Sequence, residues 1–522
     1  MDPKKQSTNG LNRPELPKLP KLHQSSPLNP KPKQIEKQKS KSKQKLKSKQ
    51  KLKPKQKQHR LKPKRTKQPV QVQTEQELNS PQPQTAATAY QSGYQTGYEA
   101  GVAAGSGSYG SYFNGTSIII PSYNQGEYLK LCIDSIIQHT RLPYEIIVVD
   151  NASEDGTADY LHSMAGRVRY RILEENRGFS GAVNTGLMMA KGMRMLLLNN
   201  DTLVTENWLE NMMACLDSDS RIGMVGPVTN FISGLQKVDV PYTKVEDMPA
   251  FAIQNNRSDP SRWQRVDRLT GFCLLFRRSL WERTGYFDEG YQIGNYEDDD
   301  YNIRVRLQGY TLVIARDAFI HHFGSVSMKA LGEQKFLQVN AINEQYFLNK
   351  WGNPNELVQH IRELKAEHHP DGQVTYPVPL ASSEAGFQPQ YVLIKGLGDT
   401  LYWLEHGHRR PVEAAEGQQL PIQAFRIPVV DLIRWPIGEK ITASQVQEKW
   451  QHENSPNEGQ LVSSAGRLYW LEQGIRRRIV SGLAASMWGI NSKSSVQMDE
   501  SDLLHWPEGL PVIAPVKMVQ RL

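Results

Sequence analysis

Met195-Leu-Leu-Leu-Asn-Asn-Asp201 decides how this chain is read. Four large apolar residues, ended by Asn199, Asn200 and Asp201, predict a strand buried on both faces that surfaces with a carboxylate at its C-terminal tip. Ligands of open α/β sheets bind beyond the carboxyl ends of the strands. An aspartate there is placed to hold Mg²⁺ or Mn²⁺ against phosphate oxygens, because such ions take few carboxylates and complete their shell with phosphate and water. The plain alternative is an aspartate that begins a turn.

Working outward from that strand, Thr116-Ser-Ile-Ile-Ile-Pro121 and Glu145-Ile-Ile-Val-Val-Asp150 read as two more buried strands. Between them Leu129, Cys132, Ile133, Ile136 and Ile137 keep the spacing of one helical face. A third strand over 168–173 and a helix over 179–191 complete an alternation that predicts a parallel, doubly wound sheet. Asp150 and Asp201 then end strands on the same sheet edge. In Asn176-Arg-Gly-Phe-Ser-Gly-Ala-Val-Asn184, Gly178 and Gly181 open a helix whose free N–H groups suit a phosphate. The segment is neither a G-x-G-x-x-G fingerprint nor a Walker loop, which counts against dinucleotide and ATP binding.

The next stretch supplies acids and histidines. Leu269-Thr-Gly-Phe-Cys-Leu-Leu-Phe276 predicts a strand, followed by a helix over 277–285. Asn295-Tyr-Glu-Asp-Asp-Asp-Tyr301 places more carboxylates at the start of a helix (299–307) than capping requires. Crowded like charges raise at least one pKa, which suits a general base. After a strand over 311–315 come His321 and His322; alternation along an extended segment sends them to opposite faces, so one is a candidate ligand. Arg304 and Arg306 could contact phosphate or pair with acids. The polar stretch 231–265 reads as a mobile acceptor loop.

Taken together, Ile118-Ile-Ile-Pro-Ser-Tyr-Asn124, Val148-Val-Asp-Asn-Ala-Ser-Glu-Asp-Gly156, Asn176-Arg-Gly-Phe179 and Leu198-Asn-Asn-Asp201 resemble the ordered motifs of family-2 glycosyltransferases, closest to the rhamnosyltransferase-like branch. The resemblance spans about 115–350. It implies the GT-A fold, an α/β doubly wound mixed sheet, and transfer of a sugar from a dTDP-, UDP- or GDP-linked donor, with inversion and with Mg²⁺ or Mn²⁺. Carried over by match, Pro121, Tyr123, Asp150, Asn151, Asn176, Gly178, Asn184 and Asn200 would border the donor. Asp201 and His322 (His321 as alternate) would hold the metal, Asp298 would be the base, and Glu297, Asp300 and Gly271 would meet the acceptor. The family's usual Asp-x-Asp triplet begins here with Asn199, which leaves one charged ligand.

Charge is unevenly spread. Residues 1–70 carry 23 Lys/Arg against 3 Asp/Glu, so the net +9 belongs to the tail and the remaining chain is acidic. Lysine fills every odd position from Lys37 to Lys57. Such a segment cannot repay its ordering entropy, so 1–88 are expected to be disordered and to suit an anionic membrane or wall polymer. With no aromatics among the lysines, nucleic-acid stacking lacks a platform. Tyr90, Gly93, Tyr94, Gly97, Tyr98 and Gly101 set a period of four over 89–113, a candidate oligomerisation or docking segment. Cys132, Cys215 and Cys273 lie in apolar contexts without ligand spacing and read as buried thiols in a reducing compartment. No apolar run reaches a membrane span and no signal core opens the chain, so a cytoplasmic protein is expected, peripheral at the inner membrane face or on a forming spore surface.

Beyond the 114–355 domain and a linker over 356–388, Leu401-Tyr-Trp-Leu-Glu-His-Gly-His-Arg-Arg410 recurs as Leu468-Tyr-Trp-Leu-Glu-Gln-Gly-Ile-Arg-Arg477. Two β-rich repeats, 389–445 and 458–522, follow from this duplication. Their aromatic residues either fill two small cores or present an aromatic–arginine face to a glycan. The whole reads as an enzyme building cell-surface, envelope or spore polysaccharide or glycoprotein, on a glycan, lipid-linked or protein acceptor. A non-catalytic adaptor of the envelope or spore surface, built on a degenerate GT-A fold, is the rival reading.

Overall fold

A computed structural model describes residues 93, 95, 96, 110–324, 332–367, 383–415, 418–451 and 458–519. The expectations for the lysine-rich tail, and nearly all of those for the Gly/Tyr segment, fall outside this set.

The first strands are β1 (Phe113–Ser122), β2 (Tyr144–Asp150), β3 (Arg169–Ile172), β4 (Gly192–Leu198) and β5 (Thr202–Leu203). They are followed by β6 (Ile222–Val228), β7 (Trp263–Val266), β8 (Cys273–Arg277), β9 (Thr311–Phe319) and β10 (His321–His322). Interleaved helices are α1 (Gly126–His139), α2 (Thr157–Ser163), α3 (Gly178–Met189), α4 (Trp208–Ser218), α5 (Met248–Asn255), α6 (Arg278–Thr284), α7 (Glu297–Leu307), α8 (Glu333–Trp351) and α9 (Pro354–Glu367).

Eight strands form one sheet in the order β3-β2-β1-β4-β8-β6-β9-β7. Side chains along β1, β2 and β4 alternate between two apolar layers: Ile119, Ile147 and Leu197 enter one, and Ile118, Ile120, Val148 and Leu196 the other. Met195 to Leu198 are fully buried, as a strand covered on both faces must be. The purely parallel sheet that alternation predicts is corrected: β8 runs antiparallel to both β4 and β6, and β7 antiparallel to β9. The mixed sheet is that of the GT-A fold. The 231–265 stretch also departs from expectation, since it contains α5 and the edge strand β7.

The 356–388 linker is likewise corrected. Leu357, Val358, Ile361 and Leu364 bury one face of α9 against Ile303 and Leu307 of α7. The C-terminal repeats each build a meander, β11 (Leu393–Lys395), β12 (Leu401–Glu405) and β13 (His408–Glu413) in the first. Between the last two, His406 (φ 48°) and Gly407 (φ 72°) both take the left-handed conformation that a two-residue hairpin turn requires; Gln473 (φ 51°) and Gly474 (φ 72°) repeat it. The two repeats share a core that holds Trp403, Trp435, Trp470 and Trp488 together, beside a smaller cluster of Val462, Leu471 and Leu503. Those tryptophans, and Arg477, are fully buried, so the duplicated aromatic–arginine motif is packing rather than an exposed face.

Candidate active site

The C-terminal ends of β1, β2 and β4 open on one cavity of about 1540 Å³. Loops after β1 and β2 are laced together: Asn124 N donates to Ser153 Oγ at 2.7 Å, and Glu154 N to Asn124 Oδ1 at 2.9 Å. Asn151 then orders the next loop, with Nδ2 donating to Asn176 Oδ1 (2.9 Å) and Gly178 O (3.0 Å) and Oδ1 accepting from Arg177 N (2.8 Å). Pro121, Tyr123, Asn151, Asn176, Gly178 and Asn200 all line the cavity.

Asp150 and Asn184 do not line it. Asp150 is fully buried, accepts from Ser153, and burial raises its carboxyl pKa. Asn184, also fully buried, brackets the Phe287 backbone (2.9 and 2.8 Å) and donates to Glu289 Oε1 at 3.0 Å, tying α3 to the far wall. Asn184 serves as scaffold, whereas Asp150 Oδ2 is buried without a hydrogen-bond partner among the described residues. The phosphate-binding helix start is corrected too: Gly178 N donates to Asn176 Oδ1 and Phe179 N to Ile293 O, so those N–H groups are already engaged.

β5 follows Asp201 at once and pairs with β10, setting His322 opposite Thr202. His322 Nε2 therefore lies 3.1 Å from Asp201 Oδ1, both side chains buried. Its Nδ1 lies 2.8 Å from the Phe231 carbonyl, which can only accept, so Nδ1 carries hydrogen. Two acceptors thus face one ring. Nε2 and the Asp201 carboxylate face each other as one nitrogen and one oxygen ligand, and the pair fits a divalent metal. Among the described residues no group of three or more such ligands converges, so substrate and water oxygens would have to complete the shell, as Mg²⁺ and Mn²⁺ permit. His321 turns away: its Nδ1 meets Tyr242 Oη at 2.8 Å, and burial, then the charge of His322, lower its pKa to about 4.

Across the cavity α7 begins two residues earlier than predicted, so Glu297, Asp298, Asp299 and Asp300 share its first turn. Asp298 Oδ2 accepts from Gly271 N at 2.7 Å, and Oδ1 from Asp299 N at 2.9 Å. A Cβ on Gly271 would sit 3.1 Å from that of Asp298, which is why glycine occupies the position. Burial, then the Asp299 charge, raise the Asp298 pKa to about 6, against the pull of Arg268 and Gly271 N. Glu297 lines the cavity, and burial followed by Asp298 pushes its pKa well upward. Asp300 is corrected: it is fully buried away from the cavity, 2.7 Å from Lys350 Nζ and accepting from Trp351 Nε1 at 2.8 Å. Arg304 and Arg306 also miss the cavity, pairing with Glu384 (2.8 Å) and Asp267 (2.6 Å).

Gly271 touches Asp298, and the neighbouring Phe272 ring stacks on His322 at 5.5 Å, so residues 271 and 272 join the two halves of the site. The model of glycosyl transferase family 2 matches residues 117–284. This chain carries a family-2 glycosyltransferase domain. The domain is 34% identical over 245 residues to glycosyltransferase GlyA of Streptococcus pneumoniae, covering 44% of this chain and 34% of that protein. It is 35% identical over 175 residues to the uncharacterized glycosyltransferase RP339 of Rickettsia prowazekii, covering 33% and 53%. The chain thus spans between a third and just over half of these relatives. Among solved structures, the mannosyltransferase PcManGT of Pyrobaculum calidifontis, in complex with GDP-Man and Mn²⁺, aligns at 20% identity and a TM-score of 0.33, covering 52% of this chain and 72% of that one.

The family motifs led to Asp201, Asp298 and His322. They did not lead to Tyr291–Tyr296, nor to Lys335, Phe336 and Asn340 of α8, which also line the cavity.

Proposed function

We propose that this domain transfers a sugar from a nucleoside diphosphate-sugar to an acceptor hydroxyl with inversion. The single observation that carries this reading is the sharing of one cavity by Asp201, His322 and Asp298. Its volume exceeds that of a usual single-ligand pocket, roughly 300–1,000 Å³, and leaves room for two substrates. The donor would lie along Tyr123, Asn151, Asn176 and Asn200, with its diphosphate toward Asp201 and His322. A divalent cation held by that pair would supply charge neutralisation to the leaving diphosphate. Asp298 takes the proton of the acceptor hydroxyl as its oxygen bonds the anomeric carbon and the bond from that carbon to the diphosphate oxygen breaks. One in-line displacement inverts the centre and leaves the proton on Asp298. A glycan, lipid-linked or protein acceptor would suit a peripheral enzyme of cell-surface assembly, its lysine-rich segment held by an anionic membrane or wall polymer. Among the described residues no helix is long and apolar enough to cross a membrane.

Incubation of the full chain with UDP-, dTDP-, GDP- and CMP-sugars, with and without Mn²⁺, tests this. One donor class should release its nucleotide in a metal-dependent way. Asp201→Asn should weaken Mn²⁺ affinity by at least about 100-fold, the upper end of what loss of a mere outer-shell partner costs, because it removes a direct ligand. Donor binding without turnover of any sugar nucleotide would favour the adaptor reading instead.

A further inference from the structure

The wall between the donor loop and Asp298 is made by Tyr291–Tyr296, and its backbone is strained. Ile293 (φ 57°), Asn295 (φ 82°) and Tyr296 (φ 72°) are all left-handed and none is glycine. For a β-branched residue such as Ile293 this conformation is an outlier that surrounding structure must impose. The wall matters at both ends. Ile293 O accepts from Phe179 N at 2.6 Å where α3 begins, and Tyr296 is the residue that launches the turn of Glu297 and Asp298.

One side chain imposes it. Asn343 of α8 is fully buried; its Oδ1 accepts from Gln292 N at 2.8 Å. Its Nδ2 lies 2.9 Å from Gln292 O, 2.9 Å from Gly294 O and 3.1 Å from Asn295 O. An amide offers one acceptor and two donor hydrogens, so here two hydrogens are shared among three carbonyls and one residue grips the backbone of Gln292, Gly294 and Asn295. Asn340, one turn earlier, meets Asn295 Nδ2 at 3.5 Å, and Tyr346, one turn later, packs edge-on against Tyr291 at 5.0 Å. A buried polar clamp with every hydrogen bond filled specifies one backbone arrangement where several would otherwise compete.

We infer that Asn343 is a positioning residue for the proposed transfer, holding the Gln292–Tyr296 wall in the single conformation that aims Asp298 at the acceptor. The inference rests on Asp298 being the base. Asn343 does not line the cavity, and Asn151, Asn176, Asp201 and His322, which do, lie on other elements.

The test uses the full chain, Mn²⁺ and whichever of UDP-glucose, dTDP-rhamnose or GDP-mannose the wild type consumes fastest. In Asn343→Asp, the Oδ1 facing Gln292 N is kept while the donor to three carbonyls is lost; in Asn343→Leu both go. Both variants should lower kcat by about 100-fold, the scale of an ångström-sized misplacement of a reacting group, with donor Kd unchanged within error. A role confined to folding would lower the fraction of active protein and leave kcat per folded site intact. Should either variant fail to fold, Asn343→Gln keeps the amide on a side chain one methylene longer, and it should fold while kcat falls at least tenfold. Unchanged kcat in folded Asn343 variants, or a loss of donor affinity matching the loss of kcat, overturns the inference. Absence of turnover by the wild type would sink the functional reading itself, a distinct result.

Discussion

Asp298→Asn should lower kcat for nucleotide release and sugar transfer by about 10²–10⁴-fold, the range a positioned general base contributes. The substitution is nearly isosteric, and Asn Oδ1 can still accept from Gly271 N, the bond that seats this side chain. Folding and donor binding should therefore survive while proton removal does not. The wild-type profile should carry the same signature. A base works only when ionised, and burial with the Asp299 charge places this carboxyl at about 6. Activity should thus fall about tenfold per pH unit below 6 and level off above it, a limb that the Asn variant lacks. Arg268, ion-paired to Asp299, is the cation that restrains the shift, so Arg268→Gln should move the limb to higher pH. Retention of a tenth or more of wild-type kcat by Asp298→Asn would remove this residue from the chemistry.

Much of this site was legible because its parts are local. Strand β4 announces itself by four consecutive large apolar residues, and the polar residues that stop it necessarily sit at the edge where ligands bind. Asp150 shows where that logic is incomplete, since a carboxylate at a strand end can also turn inward to cap its own loop, as Oδ1 does toward Ser153. Asp300 failed for a related reason: four consecutive acids in a helix turn point in different directions, and only three-dimensional placement separates the base from the carboxylate bound to Lys350. Nothing in the one-dimensional pattern marks Asn343 or Lys350. Each is a polar residue on a helix whose partners lie 48 to 62 positions away, and burial of such residues is decided by those partners. Helix α9 is a different case, because Leu357, Val358, Ile361 and Leu364 already carried a helical apolar face that the linker reading passed over.

The other large effect concerns stability. Lys350 Nζ, fully buried, lies 2.6 Å from Asp288 Oδ2 and 2.7 Å from Asp300 Oδ1. Asp288 also accepts from Tyr346 Oη (3.2 Å) and Lys517 N (3.1 Å); Asp300 also faces Arg304, which pairs with Glu384 beside the C-terminal repeats. One ammonium therefore joins the base of the acceptor wall, the first turn of α7 and the backbone just before Val519, itself on the cavity rim. A buried ion pair adds little over a well-packed apolar pair, but removing one partner strands the other charge in a medium that solvates it poorly. Lys350→Met leaves Asp288 without its cation and Asp300 with Arg304 alone at 3.7 Å, and should cost about 3–5 kcal/mol in chemical denaturation, with kcat reduced as the elements carrying Asp288 and Asp300 separate. Adding Asp288→Asn to Lys350→Met removes one stranded carboxylate and should recover part of that loss, whereas Asp288→Asn alone should destabilise. That non-additivity is the diagnostic, because a lysine contributing only packing would give single and double variants whose effects sum. A loss below 1 kcal/mol for Lys350→Met would mean that water reaches the pair, and that the C-terminal module and the catalytic domain are not locked together through it.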